Sequence, residues 1–149
     1  MKTKNFRNWL CALVSQGTLR EYNSSRYEIC YPNFVDTSGK RRYDAPVGDG
    51  HGLFAGVLTV GTGTTPPTED DYKLENKVDL KWFNQMPIWH DTSFILVGSF
   101  TNNTSEAVTI TEVAYQLRYN ADFIISRDLI TPITIPAGET RTIQYTIEF

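Results

Sequence analysis

The chain is short of almost everything that marks a specialised class of protein. Spanning a membrane as a helix takes about 20 consecutive apolar residues, and the longest apolar stretches, "WLCALV" at 9–14 and "GLFAGVLTV" at 52–60, fall well below that. Cysteine is scarce. Cys11 and Cys30 fit no ligand spacing of the CxxC kind and are too few for a disulfide scaffold, so two buried free thiols are expected rather than a bridge. Neither sign of charge dominates: 14 basic and 17 acidic residues leave a net charge of −3. The basic knot Lys40-Arg41-Arg42 is too short to follow a nucleic-acid backbone. Lys2, Lys4 and Arg7 precede an apolar patch in the manner of a secretion leader, but that patch lacks a small-x-small site after it. A chain made in the cytoplasm, with neither membrane nor nucleic acid as partner, is the expectation.

Catalytic signatures are also missing. Two histidines lie in "GDGHG" and "WHD", with Asp49 beside His51 and Asp91 beside His90, but no HExxH or comparable ligand spacing accompanies them. There is no GxSxG elbow and no Cys–His pattern. The stretch "VGTGTTPPTEDDYKLENKV" (60–78) has the glycines of a phosphate loop without its Lys and Ser/Thr, and Pro66-Pro67 remove N–H donors that an anion would need. What remains there is turn and helix-start chemistry. Thr68-x-x-Asp71 is a capping box with Asp in place of Glu, which also accounts for the carboxylate pair Asp70-Asp71. No enzyme, metal or cofactor is expected.

What the chain does have is aromatic and alternating. Three Trp, eight Tyr and eight Phe make up 13% of its residues, a proportion that suits a β-rich domain. Only the N-terminus has helical spacing: Phe6, Trp9, Leu10 and Leu13 recur at i, i+3, i+4 and i+7, with Asn5 as cap and Gly17 as stop. A helix of about three turns is marginal alone. Its stripe must pack on the domain or on a neighbouring subunit, and the four residues are candidate contacts of an arm over 1–17.

Beyond it, residues 20–50 are rich in turn formers, with one short alternation at Tyr27, Ile29 and Tyr31. "GLFAGVLTV" has the length and composition of a buried strand. "SFILVGSFTNNTSEAVTITEVAYQLRY" has the pattern of two strands joined by a polar hairpin loop around Asn102-Asn103-Thr104-Ser105. In the second of these, Val108 and Ile110 lie in one phase and Val113, Tyr115, Leu117 and Tyr119 in the other, which predicts a β-bulge near Thr111-Glu112. After a turn at Pro136–Glu139, Ile143, Tyr145, Ile147 and Phe149 alternate with Thr142, Gln144, Thr146 and Glu148, the pattern of a strand buried on one face. The expected fold is mainly β: an antiparallel β-sandwich over 18–149 preceded by a short amphipathic helix.

Three ordered segments, "VGTGTTPPTEDDYKLENKV", "TNNTSEAVTITEVAYQL" and "ITIPAGETRTIQYTIEF", resemble small virion structural proteins of tailed bacteriophages. The resemblance spans 53–149 and departs at Ala114-Tyr115, where that family commonly carries Gly-Leu. It implies a subunit of the tail, fibre, neck or capsid surface, located in the virion, whose partners are copies of itself and other virion proteins. Trp82, Phe83 and Trp89, with Phe94, are a candidate aromatic contact surface; the plainer reading makes most of these rings core. Two other readings stand beside it. A host-receptor or glycan-binding module would use exposed rings such as Trp82, Trp89 and Tyr43. A small hydrolase would need His51 or His90 beside a nucleophile or carboxylate.

Overall fold

The computed structural model of the chain describes residues 1–6, 34–42, 56–118 and 122–148. The structure is mainly β, and its sheets are antiparallel. Among the described residues nine strands follow one another: β1 (Phe34–Val35), β2 (Arg41–Arg42), β3 (Gly56–Gly61), β4 (Lys81–Asn84), β5 (Ile88–Trp89), β6 (Ser93–Thr101), β7 (Val108–Arg118), β8 (Asp122–Ile135) and β9 (Thr140–Glu148). The described residues divide into two compact units. One is drawn from Met1–Gly56, Pro67–Lys73 and Gln116–Arg127, the other from Val57–Pro66, Leu74–Tyr115 and Asp128–Phe149.

In the first unit the N-terminal residues run antiparallel to 125–127 of β8 through an isolated bridge. Thr3 N–H donates to Ile125 O (3.0 Å), Arg127 N–H donates to Met1 O (2.9 Å), and Lys2 bridges Ser126 in antiparallel register. A helical turn follows at 4–6, closed by Phe6 N–H on Thr3 O (3.0 Å). Asn5 does not cap it. Its side-chain amide donates to Val35 O (2.7 Å) and accepts from Val35 N–H (2.9 Å), imitating a strand neighbour for β1. Phe6 is buried within the chain, which is the packing on the domain that its stripe allowed beside packing on a neighbouring subunit. Trp9, Leu10 and Leu13 lie outside the described residues, as do Tyr27, Ile29 and Tyr31.

β1 and β2 pair through a tight turn in which Gly39, at φ +80°, takes the left-handed conformation that side chains resist. The buried Asp36 carboxylate holds this turn by accepting from Ser38 N–H (2.9 Å) and Lys40 N–H (3.0 Å). The capping-box segment is realised as a turn. Asp71 N–H donates to Thr68 O (3.3 Å), and the Asp71 carboxylate accepts from Thr68 N–H (2.9 Å).

Asp71 also meets the buried Arg127 guanidinium at 2.7 Å. Burial alone would raise the Asp71 pKa, but the hydrogen bonds from Thr68 N–H, Arg127 and the Thr68 hydroxyl, together with the Arg127 charge, hold it below the usual 3.8. A depressed carboxyl pKa stabilises the fold above the unfolded value and loses that contribution as pH falls through the folded one. Asp71→Asn is therefore expected to lower stability by about 2 kcal/mol at neutral pH. Its deficit against wild type should shrink below about pH 4 in urea titrations at stepped pH.

Two larger sheets follow among the described residues. One has the order β3-β7-β8; in the other, β6 pairs β4 and β5 along one side and β9 along its full length on the other. β7 and β8 are antiparallel because the three residues between them are too few for a crossover.

The expected hairpin of 93–119 is absent: β6 and β7 belong to different sheets, and so do β8 and β9. Both corners meet at Asn102, which is fully buried. Its side chain donates to Glu106 O (2.7 Å) and Ile135 O (2.8 Å) and accepts from Thr104 N–H (3.0 Å) and the Thr104 hydroxyl (2.7 Å). Its backbone donates to Glu139 O (2.9 Å) and accepts from Gly138 N–H (2.8 Å). A polar loop marks a change of direction, not whether the strands on either side pair.

β7 runs unbroken through the expected bulge position. Glu112, at that position, is fully buried, and so is every residue from Glu112 to Leu117, so alternation ends because both faces are covered. β9 follows its expected pattern, with Ile143, Tyr145 and Ile147 buried between exposed neighbours.

Candidate interaction surface

Two sites stand out in the second unit: an internal clasp around Glu112 and an apolar ridge on β4 and β5. The clasp answers what the glycine-rich stretch at 60–78 does. Glu112 Oε1 accepts from Gly63 N–H (3.1 Å) and Asn76 N–H (2.8 Å), and Oε2 accepts from Glu75 N–H (3.1 Å). From the exposed side, Glu75 Oε2 accepts from Thr64 N–H (2.7 Å) and Thr65 N–H (2.8 Å). The loop therefore does cradle an anion, and that anion is the chain's own carboxylate. Gly61 and Gly63 are required by proximity: a Cβ on either would stand 2.3 Å or 2.6 Å from Glu112 Oε1.

The ridge is formed by residues 81–89, an interrupted edge strand beside β6. Register runs from Lys81↔Thr101 to Asn84↔Gly98 and continues through Gln85 N–H on Val97 O (2.9 Å). It resumes one residue out of step at Ile88↔Ile95 and Trp89↔Phe94. Met86 and Pro87 thus stand opposite Leu96 alone, which is a β-bulge. The extra residue inverts the phase beyond it. Trp82, paired with Phe100, and Trp89, paired with Phe94, consequently lie on the same face despite their odd separation. Phe83 and Ile88, paired with Ser99 and Ile95, lie on the other face.

All five large apolar side chains of this strand are exposed: Trp82 46%, Phe83 67%, Met86 73%, Ile88 47% and Trp89 54%. Together they expose on the order of 500 Å² of apolar surface along this edge strand, divided between its two faces. Trp82, Phe83 and Trp89 are thus at the surface, against the plainer core reading; Phe94 is the one that is buried. The Phe94 ring lies 5.1 Å from Trp89 and 5.5 Å from Tyr115 of β7, the latter edge-on. Burial pushes the Tyr115 hydroxyl up to about 12. Asn84 supports the strand by accepting from Leu58 N–H (3.2 Å) in space left by the missing side chain of Gly98.

Met86 and Ile88 were not among the residues expected at the surface. A signal for them exists, because "WFNQMPIW" carries no charge over eight residues.

The histidines are not brought together as a site by anything described. His90 N–H closes the β5–β6 turn on Ser93 O (2.8 Å), while Asp49, His51 and Tyr43 lie outside the described residues. Among the described residues no three His, Cys, Asp or Glu side chains gather as metal ligands. None of their helices is long and apolar enough to cross a membrane. Compared with protein-family models, curated proteins and solved structures, the chain matches none.

Proposed function

We propose that the chain is a structural subunit of a tailed-phage virion, held in the tail, fibre, neck or capsid surface by contacts with its own copies and with other virion proteins. The observation that carries this reading is the ridge of five exposed apolar side chains at 82–89. A free monomer would bear such a surface as an aggregation liability, whereas an assembly subunit buries it. The three phage-like segments add support, since two of them supply the Glu112 clasp and the third supplies β9. We propose further that the second unit is an antiparallel β-sandwich. Its β9 buries one face, and the Phe94–Tyr115 ring contact joins strands of different sheets. Such a body works by contact rather than by chemistry.

The direct test is mass spectrometry of purified virions of the phage whose genome carries the chain. The chain is expected at stoichiometric copy number; its absence from particles, with abundance in the lysate, sinks the reading. The triple variant Phe83→Ser, Met86→Ser, Trp89→Ser should keep its melting temperature within about 3 °C, because exposed side chains add little to stability. Its incorporation should fall at least about tenfold, the effect expected of lost interface anchors.

A second reading is favoured by the bulge, which places Trp82 and Trp89 on one face as sugar-stacking rings would be. Host-surface polysaccharide should then quench tryptophan fluorescence saturably, and a flat titration rules against it.

A further inference from the structure

The sheet built on β6 has two unlike edges. The β4–β5 edge carries Pro87 and a bulge, both of which block pairing with another strand. The β9 edge has no such protection. β9 pairs β6 without interruption from Thr140 to Glu148 and contains no proline and no glycine. Among the described residues β6 is its only strand partner. Asn102 N–H on Glu139 O (2.9 Å) continues that ladder and fixes its phase, so the odd-numbered residues of β9 turn their backbone groups toward β6. Thr140, Thr142, Gln144, Thr146 and Glu148 therefore point N–H and C=O away from it, and all five are exposed.

The occupant of this edge is written in β9 itself. Read antiparallel against its own copy with Gln144 on the axis, the nine residues pair completely. Thr140 faces Glu148 of the second copy, Thr142 faces Thr146, and Gln144 faces Gln144. On the buried side Ile143 faces Tyr145 and Arg141 faces Ile147. No like charges oppose each other, and the hydroxyl pairing repeats what this face already has at Ser99–Thr142 (3.1 Å) and Thr101–Thr140 (2.7 Å). The same parity places every outward backbone group opposite another, giving about ten inter-chain hydrogen bonds, the number typical of a stable interface.

We infer that two copies of the chain join β9 to β9 about a two-fold axis at Gln144, forming one continuous sheet across the dimer. This isologous contact rests on the assembly reading above and names its first partner. It leaves the apolar ridge, on the opposite edge of each sheet, for a different neighbour.

Sedimentation of the full chain, with hydrogen exchange read at single amides, tests it. The wild type is expected to be a dimer with the Thr142, Gln144 and Thr146 amides protected. Gln144→Pro removes an outward N–H and leaves the ladder to β6 intact; it should raise the dimer dissociation constant about 100-fold. Thr142→Lys with Thr146→Lys opposes like charges twice and should give a folded monomer by circular dichroism. An oligomer in which those three amides exchange as fast as exposed ones overturns the β9 pairing while the assembly reading stands. A wild type that stays monomeric up to about 100 µM also overturns it and leaves the virion reading to the particle experiment.

Discussion

Glu112→Ala is expected to destabilise the fold by about 3–5 kcal/mol, because it removes a fully buried acceptor and strands the backbone N–H donors that close on it. Three of these, on Gly63, Glu75 and Asn76, converge on the one carboxylate. The loss should appear as a fall in melting temperature on the order of 10 °C for a chain of this size. Glu112→Gln retains one carbonyl acceptor but turns an amide toward the remaining donor, so about 1–2 kcal/mol is expected.

The glycines provide a sharper test of the same geometry. Gly63→Ala places a Cβ 2.6 Å from Glu112 Oε1 and 2.6 Å from Glu75 Cβ, so it should be severely destabilising on its own. In the Glu112→Ala background half of that conflict is gone, and the two substitutions should couple by at least about 1 kcal/mol in a double-mutant cycle. Simple additivity would mean that the loop does not close on Glu112. Gly61→Ala should be rescued less, because its Cβ also meets the Asn76 backbone oxygen at 2.6 Å.

Asn102→Ala carries the second largest expected effect, about 2–4 kcal/mol in urea denaturation midpoints. One side chain there supplies donors to the carbonyls of Glu106 and Ile135 and an acceptor to Thr104. Those groups belong to the two corners where the chain leaves one sheet for the other. Asn102→Asp is the informative companion. It keeps the acceptor for Thr104 and loses both donors while turning a negative charge toward two carbonyl oxygens. It should be at least as harmful as alanine. If aspartate is tolerated, the bonds to Glu106 and Ile135 contribute little and the corner is held by Thr104.

Much of this molecule is visible in its residues once each is asked which face it occupies. The alternation in 140–148 identified the buried side of β9 correctly, and the composition of 52–60 announced a strand where β3 lies. Three readings failed, each for a nameable reason. The polar loop at 102–105 was taken as a hairpin, and Asn5 as a helix cap, because Asn serves turns, caps and strand-edge mimicry with the same two groups. Glu112 gave no local sign of its burial, because a charged residue almost never lies fully buried without a dedicated set of partners. Here those partners are backbone N–H groups about 36 to 49 residues away, which no local pattern records. The rings at 82 and 89 were weighed as core because aromatics bury more often than not, and only the register with β6 shows them exposed on a shared face.

The sequence by itself determined that this chain makes strands, where they turn, and which side of β9 is oily, since period-two alternation is a property of neighbouring side chains. Tertiary structure alone decided which strand lies beside which, that a carboxylate rather than a ligand fills the glycine loop, and that Trp82 and Trp89 share a face. Pairing joins residues far apart in the chain, and one inserted residue reverses every side chain beyond it.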